Sequence, residues 1–237
     1  MPRINVKDKR RQQLMEANIA SIARRGLADT TIAHVSKGAS MSRGIVNFYF
    51  TSKEKMMQDT LLFMAEEVKA AWQQTVELER AKGSEPLTIA EAILRTLMGD
   101  RLCSQKRMAV WAAFFGHAGT HPALARIIRQ MDDALTLQLK KLWQEAGYEA
   151  KSADIHARQL QALIFGHWLV SALDEGEKRP SAFIDAWLEL LRGTPSSAGS
   201  ASKEKVVKMK PAAAGKAKKP RPDVLPGQLD FGDLFSR

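Results

Sequence analysis

The sequence has a single cysteine among its 237 residues and no long hydrophobic run. One cysteine excludes an intrachain disulfide framework and a multi-cysteine zinc site, and we expect Cys103 to be a buried, unreactive thiol in a reducing compartment. The longest apolar stretches, 109–116 and 162–173, are shorter than the roughly 20 residues of a bilayer span. The N-terminus also lacks the apolar core of a signal peptide. These features predict a soluble cytoplasmic protein with no membrane partner.

Sequence motifs typical of enzyme active sites are also absent. The sequence has no phosphate-cradling glycine-rich loop, no nucleophile elbow and no metalloprotease spacing. Two of the five histidines, His117 and His121, are four residues apart, but Gly119 and Pro122 interrupt the helix that would align them. Structural or pocket roles are therefore favoured over metal ligation. We expect no enzyme activity, no catalytic residue, no metal and no cofactor.

Positive charge is abundant and unevenly placed. The 36 Lys and Arg against 26 Asp and Glu give a net charge of +10. Residues 1–60 hold 11 basic and 5 acidic residues, residues 61–193 hold 16 and 17, and residues 194–237 hold 9 and 4. The two ends are therefore basic and the middle is nearly neutral. This layout favours a nucleic-acid partner for a small basic domain attached to a larger body.

Hydrophobic periodicity of about 3.6 residues recurs along the chain, whereas strand-like alternation is nearly absent, so we predict an all-α fold. The prediction comprises a helix-turn-helix DNA-binding domain over 1–51 (the head) and a ligand-binding and dimerisation domain over 52–193 (the body). A basic tail rich in Pro, Gly, Ala, Ser and Lys over 194–237 is predicted to be disordered. About nine helices are expected, over 9–25, 32–38, 43–50, 52–80, 88–102, 106–118, 122–145, 152–173 and 181–191.

Three short helices at the N-terminus, with a turn over 37–40, have the spacing of a helix-turn-helix. Thr31 and Ser42 can cap the second and third helices, and Ser52 begins the long fourth helix. Gly38 is expected to adopt the backbone conformation of the tight turn. On the third helix, Arg43 can pair with guanine and Asn47 with adenine in a major groove. Hydroxyl and ammonium groups near helix ends can contact phosphates; they belong to Thr31, Ser42, Tyr49, Lys53 and Lys55. From pattern alone, a plain helical hairpin with a solvated basic face remains an alternative.

The amino-acid sequence of residues 26–56 resembles that of the DNA-binding domain of the TetR family. The matching features are Thr31-Ile32-Ala33 at the start of the second helix, Ser42 and Gly44 in the third, and Tyr49-Phe50 with Lys53 three residues later. Asn47 stands where many members carry Tyr, and Met56 where Leu is usual. The resemblance implies a double-stranded DNA operator as partner, a ligand pocket among the middle helices, and a homodimer formed by the last two helices.

Apolar residues in the body support the last two implications. Residues 162–173 are apolar around nearly the whole helix, and 183–191 carry a second apolar stripe, so a two-fold bundle would bury both; a purely internal core is the alternative. Side chains that could line a pocket are mostly aromatic; they are Trp111, Phe114, Phe115, His117, Phe165 and Trp168. Aromatic rings bind quaternary ammonium ions, although such stripes are often simply core.

Two stretches, 109–115 followed by His121-Pro122, and 163–173, resemble the choline-responsive members of the TetR family. Phe115 stands where a second Trp is usual. The resemblance implies choline or a related quaternary ammonium compound as effector, although some members of this subgroup take other ligands. Together these features predict a homodimeric repressor that a small molecule releases from DNA. A nonspecific architectural DNA-binding protein is the main alternative, since it would explain the basic tail.

Overall fold

The computed structural model describes residues 6–173, which form eight α-helices and contain no β-strand. The helices are α1 (Val6–Asp29), α2 (Ile32–Gly38), α3 (Arg43–Tyr49), α4 (Lys53–Ala81), α5 (Pro86–Met98), α6 (Gln105–Ala118), α7 (Pro122–Glu145) and α8 (Ala150–Ser171). The all-α prediction is confirmed. The helix expected over 181–191 and the tail expected over 194–237 lie outside the described residues.

Three helices of the N-terminal region begin at the side-chain caps expected from the sequence. Each capping hydroxyl accepts a hydrogen bond from the backbone N–H three residues later: Thr31 from His34 at 3.3 Å, Ser42 from Ile45 at 3.3 Å and Ser52 from Lys55 at 3.1 Å. These bonds satisfy donors that a helix N-terminus otherwise leaves unpaired. The caps therefore fix where α2, α3 and α4 start.

The turn between α2 and α3 differs from the expectation. Gly38 is the last residue of α2, and the left-handed position belongs to Ser40, with φ of 53°. The turn is closed by two bonds between Ser36 and Met41, from the Met41 N–H to the Ser36 carbonyl at 3.0 Å and from the Ser36 hydroxyl to the Met41 carbonyl at 2.9 Å. The prediction that Gly38 supplies the turn conformation is wrong, because Gly38 is still helical. The two hydrogen bonds between Ser36 and Met41 stabilise the turn instead.

Two helices in the body are displaced from their expected bounds by two to four residues. α5 starts at Pro86 rather than 88, because proline suits the first helical turn, and it ends before Gly99, whose backbone is extended. α8 runs over Ala150–Ser171 instead of 152–173. By contrast, α7 has the expected bounds.

The long helix α4 connects the head to the rest of the described chain. Near its start Met56 and Leu61 are fully buried, and it packs on α1, α5 and α7. A buried polar contact joins α1 to α4, in which the amide Nδ2 of Asn18 donates to the hydroxyl of Thr60 at 2.7 Å. Thr60 in turn donates to the carbonyl of Met56 at 2.9 Å. This network fixes the position of α1 on α4 more specifically than apolar packing alone.

Helices α6, α7 and α8 pack against one another. α7 and α8 are antiparallel, since Thr136 bonds Gln161 while Lys140 pairs with Asp154. Between residues 6 and 173, no helix combines the length and the apolar character that crossing a membrane requires.

Candidate DNA interface and ligand site

Helix α3 presents one face to solvent and packs the other against the core. Val46 is fully buried and Phe50, which caps the helix, is 1% exposed. The exposed positions include Arg43, Gly44 and Asn47. Arg43 and Asn47 are one helical turn apart, so their side chains lie side by side on the outer face. This face has the length and polarity of a major-groove reading helix.

The outer face of α3 also carries Phe48, which our sequence analysis did not select. Its side chain is 75% exposed, and its ring meets that of Tyr49 edge to face at 5.4 Å. The signal was present in the sequence, because a residue two positions after the buried Val46 lies on the opposite side of a helix. An exposed phenylalanine beside Arg43 and Asn47 adds an apolar group to a polar reading surface.

Gly44 leaves space on the outer face of α3. A Cβ atom built on Gly44 would approach only the Ser42 hydroxyl, at 3.9 Å, so the packing of this chain does not require glycine there. The open space at Gly44 allows another molecule to approach α3 closely.

The side chains that we expect to contact phosphates lie around α3, but each of them also has a hydrogen-bond or ion-pair partner within the chain. The Tyr49 hydroxyl donates to the carbonyl of Lys7 at 3.4 Å, and the Lys53 ammonium donates to the carbonyl of Ala28 at 2.5 Å. The Lys55 ammonium is 2.6 Å from the buried carboxylate of Asp59, which Arg11 also approaches at 3.6 Å. The Thr31 and Ser42 hydroxyls accept the capping bonds described above. These side chains are thus held in place at the edge of the α3 face.

In the body, four aromatic rings form a closed circuit, which we call the four-ring cluster. Neighbouring ring centroids are 5.7 Å apart for Trp111 and Phe115, 5.4 Å for Phe115 and Phe165, 5.6 Å for Phe165 and Trp168, and 5.4 Å for Trp168 and Trp111. The Trp168 indole N–H donates to the carbonyl of Leu97 at 2.8 Å, which fixes that ring. The two tryptophans are buried and the two phenylalanines half-buried.

The other two expected ligand residues lie apart from the four-ring cluster. Phe114 is fully buried, and it takes part in none of the ring contacts found within residues 6–173. His117 bonds the carbonyl of Ala113 through Nδ1 at 3.1 Å. Together with His121 it lines a separate cavity of about 400 Å³, where α1 and α4 meet the α6–α7 connection. The structure thus brings four of the six residues together.

Arg107 joins the helix that carries half of the four-ring cluster to the N-terminal helices. From α6, its guanidinium bonds Glu16 of α1 at 2.9 Å and also bonds Glu67 of α4. The Arg107 side chain is only 18% exposed, so the two ion pairs that it forms are partly shielded from water. We call it the Arg107 bridge. It couples the position of α6 to that of α1 and α4.

Metal ligands are not grouped in the described part of the chain. Among residues 6–173, no three His, Cys, Asp or Glu side chains come together in a way that could hold a metal ion. His117 and His121 form only a pair, with ring centroids 5.7 Å apart.

Comparison with known proteins gives two adjoining matches to family models. The model for bacterial regulatory proteins of the tetR family matches residues 14–60, which include α2 and α3. The model for the C-terminal region of BetI-type transcriptional repressors matches residues 86–193. The regulator BetI of Paraburkholderia xenovorans (strain LB400) is 32% identical over 177 residues, covering 73% of this chain and 87% of the relative. This chain belongs to the TetR family of transcriptional regulators.

Other relatives agree with this membership. BetI of Serratia proteamaculans is 29% identical over 177 residues, covering 73% of the present regulator and 86% of the relative. A transcriptional regulator from Rhodococcus sp. Rha1 has the same fold, with a TM-score of 0.65, 24% identity, and coverage of 76% of this chain and 91% of that one. The regulator is therefore a helix-turn-helix DNA-binding protein with a BetI-type C-terminal part. It is not an enzyme.

Proposed function

We propose that this regulator is a homodimeric repressor that leaves its operator when a small quaternary ammonium compound, with choline as first candidate, binds in its body. The observation that carries the ligand part is the closed circuit of Trp111, Phe115, Phe165 and Trp168. Ring faces attract a cation, each by about 0.5–2 kcal/mol. As a DNA-binding regulator, the protein would act in the cytoplasm.

On the DNA side, the outer face of α3 is proposed to enter the major groove. Arg43 would pair with guanine and Asn47 with adenine, each good pair contributing about 1–3 kcal/mol of discrimination. Phe48, 75% exposed between Asn47 and Tyr49, would contact the methyl group of a thymine. Side chains at the edge of this face would hold phosphates; they are Thr31, Ser42, Tyr49, Lys53 and Lys55. Gly44 would let the DNA approach the helix closely.

Dimerisation is proposed to involve α8. Leu169 near the end of α8 and Leu173 just after it are 54% and 77% exposed, which is unusual for leucines beside an otherwise packed helix. A second copy of the chain would cover such a surface. A dimer would present two α3 helices to two half-sites about one DNA turn apart.

Release of DNA is proposed to follow from a shift of α6. A cation between the rings would act on Trp111 and Phe115, and the Arg107 bridge would pass the displacement to α1 and α4. Coupling of about 1–3 kcal/mol between the two sites would weaken operator binding roughly 5–150-fold.

A gel-shift titration of the full-length chain against its own upstream region, with and without choline, tests the proposal. We expect a specific complex that choline dissociates. A complex that forms equally with unrelated DNA would favour the architectural alternative, and a specific complex indifferent to choline would refute the ligand but not the repressor.

Two variants separate the proposed base and phosphate contacts. Arg43→Ala should relax sequence preference, whereas Lys53→Ala should weaken binding to all sequences and flatten its salt dependence. Identical behaviour of both variants would contradict this division of contacts.

A further inference from the structure

Asp132, on α7, has a carboxylate oxygen that no hydrogen-bond donor reaches. The Oδ1 atom of Asp132 is buried and makes no hydrogen bond. Burial raises the pKa of Asp132 above its ordinary value; Asp133 contributes in the same direction, while Arg158 opposes it. A buried carboxylate oxygen without a donor is uncommon, because the lost hydration is normally replaced by hydrogen bonds.

The register of α7 and α8 places Asp132 level with one ring of the four-ring cluster. Thr136 donates a hydrogen bond to Gln161 across the two antiparallel helices at 2.9 Å. Asp132 is one turn before Thr136 on α7, and Phe165 is one turn after Gln161 on α8. Since residues four apart share a helix face, Asp132 lies on the α7 face that carries Thr136, at the level of Phe165 on α8. Phe165 is itself a member of the four-ring cluster, in contact with Phe115 and Trp168.

We propose that Asp132 supplies the counter-charge of a small-cation site whose apolar walls are the four-ring cluster. The rings favour a cation through their faces but carry no net charge. A carboxylate at the edge of the cluster distinguishes a cation from an uncharged molecule of the same shape. This inference rests on the ammonium effector proposed above, and it identifies the group that selects for charge.

The charge of the ligand can be varied at constant shape. We would measure binding to the full-length chain by calorimetry with choline and with 3,3-dimethyl-1-butanol, in which carbon replaces the ammonium nitrogen. The variants are Asp132→Asn and a matched control, Asp133→Asn, which removes the same charge from the neighbouring exposed position.

The unmodified chain should bind choline more tightly than the uncharged alcohol. Asp132→Asn should weaken choline binding by about tenfold to a hundredfold, as expected for losing one charge partner in a partly buried site. Its affinity for the alcohol should change less than about twofold, as should the affinity of Asp133→Asn for both probes.

Thermal unfolding of the free proteins checks the integrity of the variant. Asp132→Asn should unfold at the same temperature as the unmodified chain or higher, because it removes a charge that burial disfavours. A variant that melts higher yet binds choline more weakly has lost a ligand contact and not its fold.

The role of Asp132 would be overturned if both variants weakened choline binding equally, or if Asp132→Asn did not weaken it at all. It would also be overturned if the unmodified chain bound neither probe. The release mechanism is separable from this result. Choline binding that depends on Asp132 but leaves the operator complex intact in the gel shift would refute ligand-induced release and leave the cation site standing.

Discussion

Replacing thymine by deoxyuridine in an operator removes only the C5 methyl group, which is the group that we expect Phe48 to contact. The Phe48 side chain is 75% exposed in the free protein, so its ring is available for contact with DNA without rearrangement. Burying one methyl group contributes about 0.8 kcal/mol. For two half-sites the loss is about 1.6 kcal/mol, or roughly 15-fold in affinity.

The assay is fluorescence anisotropy at fixed salt with an operator obtained by in vitro selection. Thymines within the half-sites are replaced one position at a time, and the same replacement in the flanking DNA serves as a control. Phe48→Ala should bind the thymine operator more weakly than the unmodified protein and should be insensitive to deoxyuridine. Arg43→Ala should bind weakly but keep its sensitivity, because it leaves the ring in place.

The reasoning is refuted if the unmodified protein binds thymine and deoxyuridine operators equally at every position. It is also refuted if Phe48→Ala remains as sensitive as the unmodified protein, because the methyl group would then have another partner. A selection with Phe48→Ala that yields the same consensus would lead to the same conclusion.

Three further predictions concern the interior of the molecule. Thr60→Val should destabilise the fold by about 1–3 kcal/mol in urea denaturation, because it leaves the buried Asn18 amide without its 2.7 Å partner; a loss below about 0.5 kcal/mol would contradict this. Burial raises the pKa of Cys103 from its ordinary 9.0 to about 12, so at pH 8 the folded thiol should react with DTNB at least about a hundredfold more slowly than the unfolded chain. Comparable rates would show an accessible thiolate. Arg107→Gln should retain ligand affinity within about twofold in calorimetry but lose most of the ligand-induced release seen in gel shifts, since release requires the bridge; unimpaired release would exclude this route.

Features that depend on nearby residues could be predicted from the sequence. The caps of Thr31, Ser42 and Ser52 involve a hydroxyl and a backbone N–H three residues later, so residue type and position were enough. The family resemblance likewise rested on a contiguous stretch of the N-terminal region, and the family match over residues 14–60 confirms it.

Features that depend on how helices pack could not be predicted in this way. The Arg107 bridge joins residues 91 and 40 positions apart, and the unpaired oxygen of Asp132 becomes apparent only once α7 and α8 are in register. The turn between α2 and α3 gave a wrong prediction because glycine was assumed to adopt the left-handed position. Ser40 adopts it, held by bonds between Ser36 and Met41 that composition does not reveal.

The Arg107 bridge has a consequence for building hybrid regulators. Its three members fall in three different parts of the chain: Glu16 lies inside the segment matched by the tetR-family model, Arg107 inside the BetI-type segment, and Glu67 between them. Exchanging only residues 14–60 for those of another regulator leaves Arg107 facing whatever the donor carries at position 16. A hybrid that retains an acidic residue there should respond to the ligand of the recipient, and one that does not should bind its operator without responding.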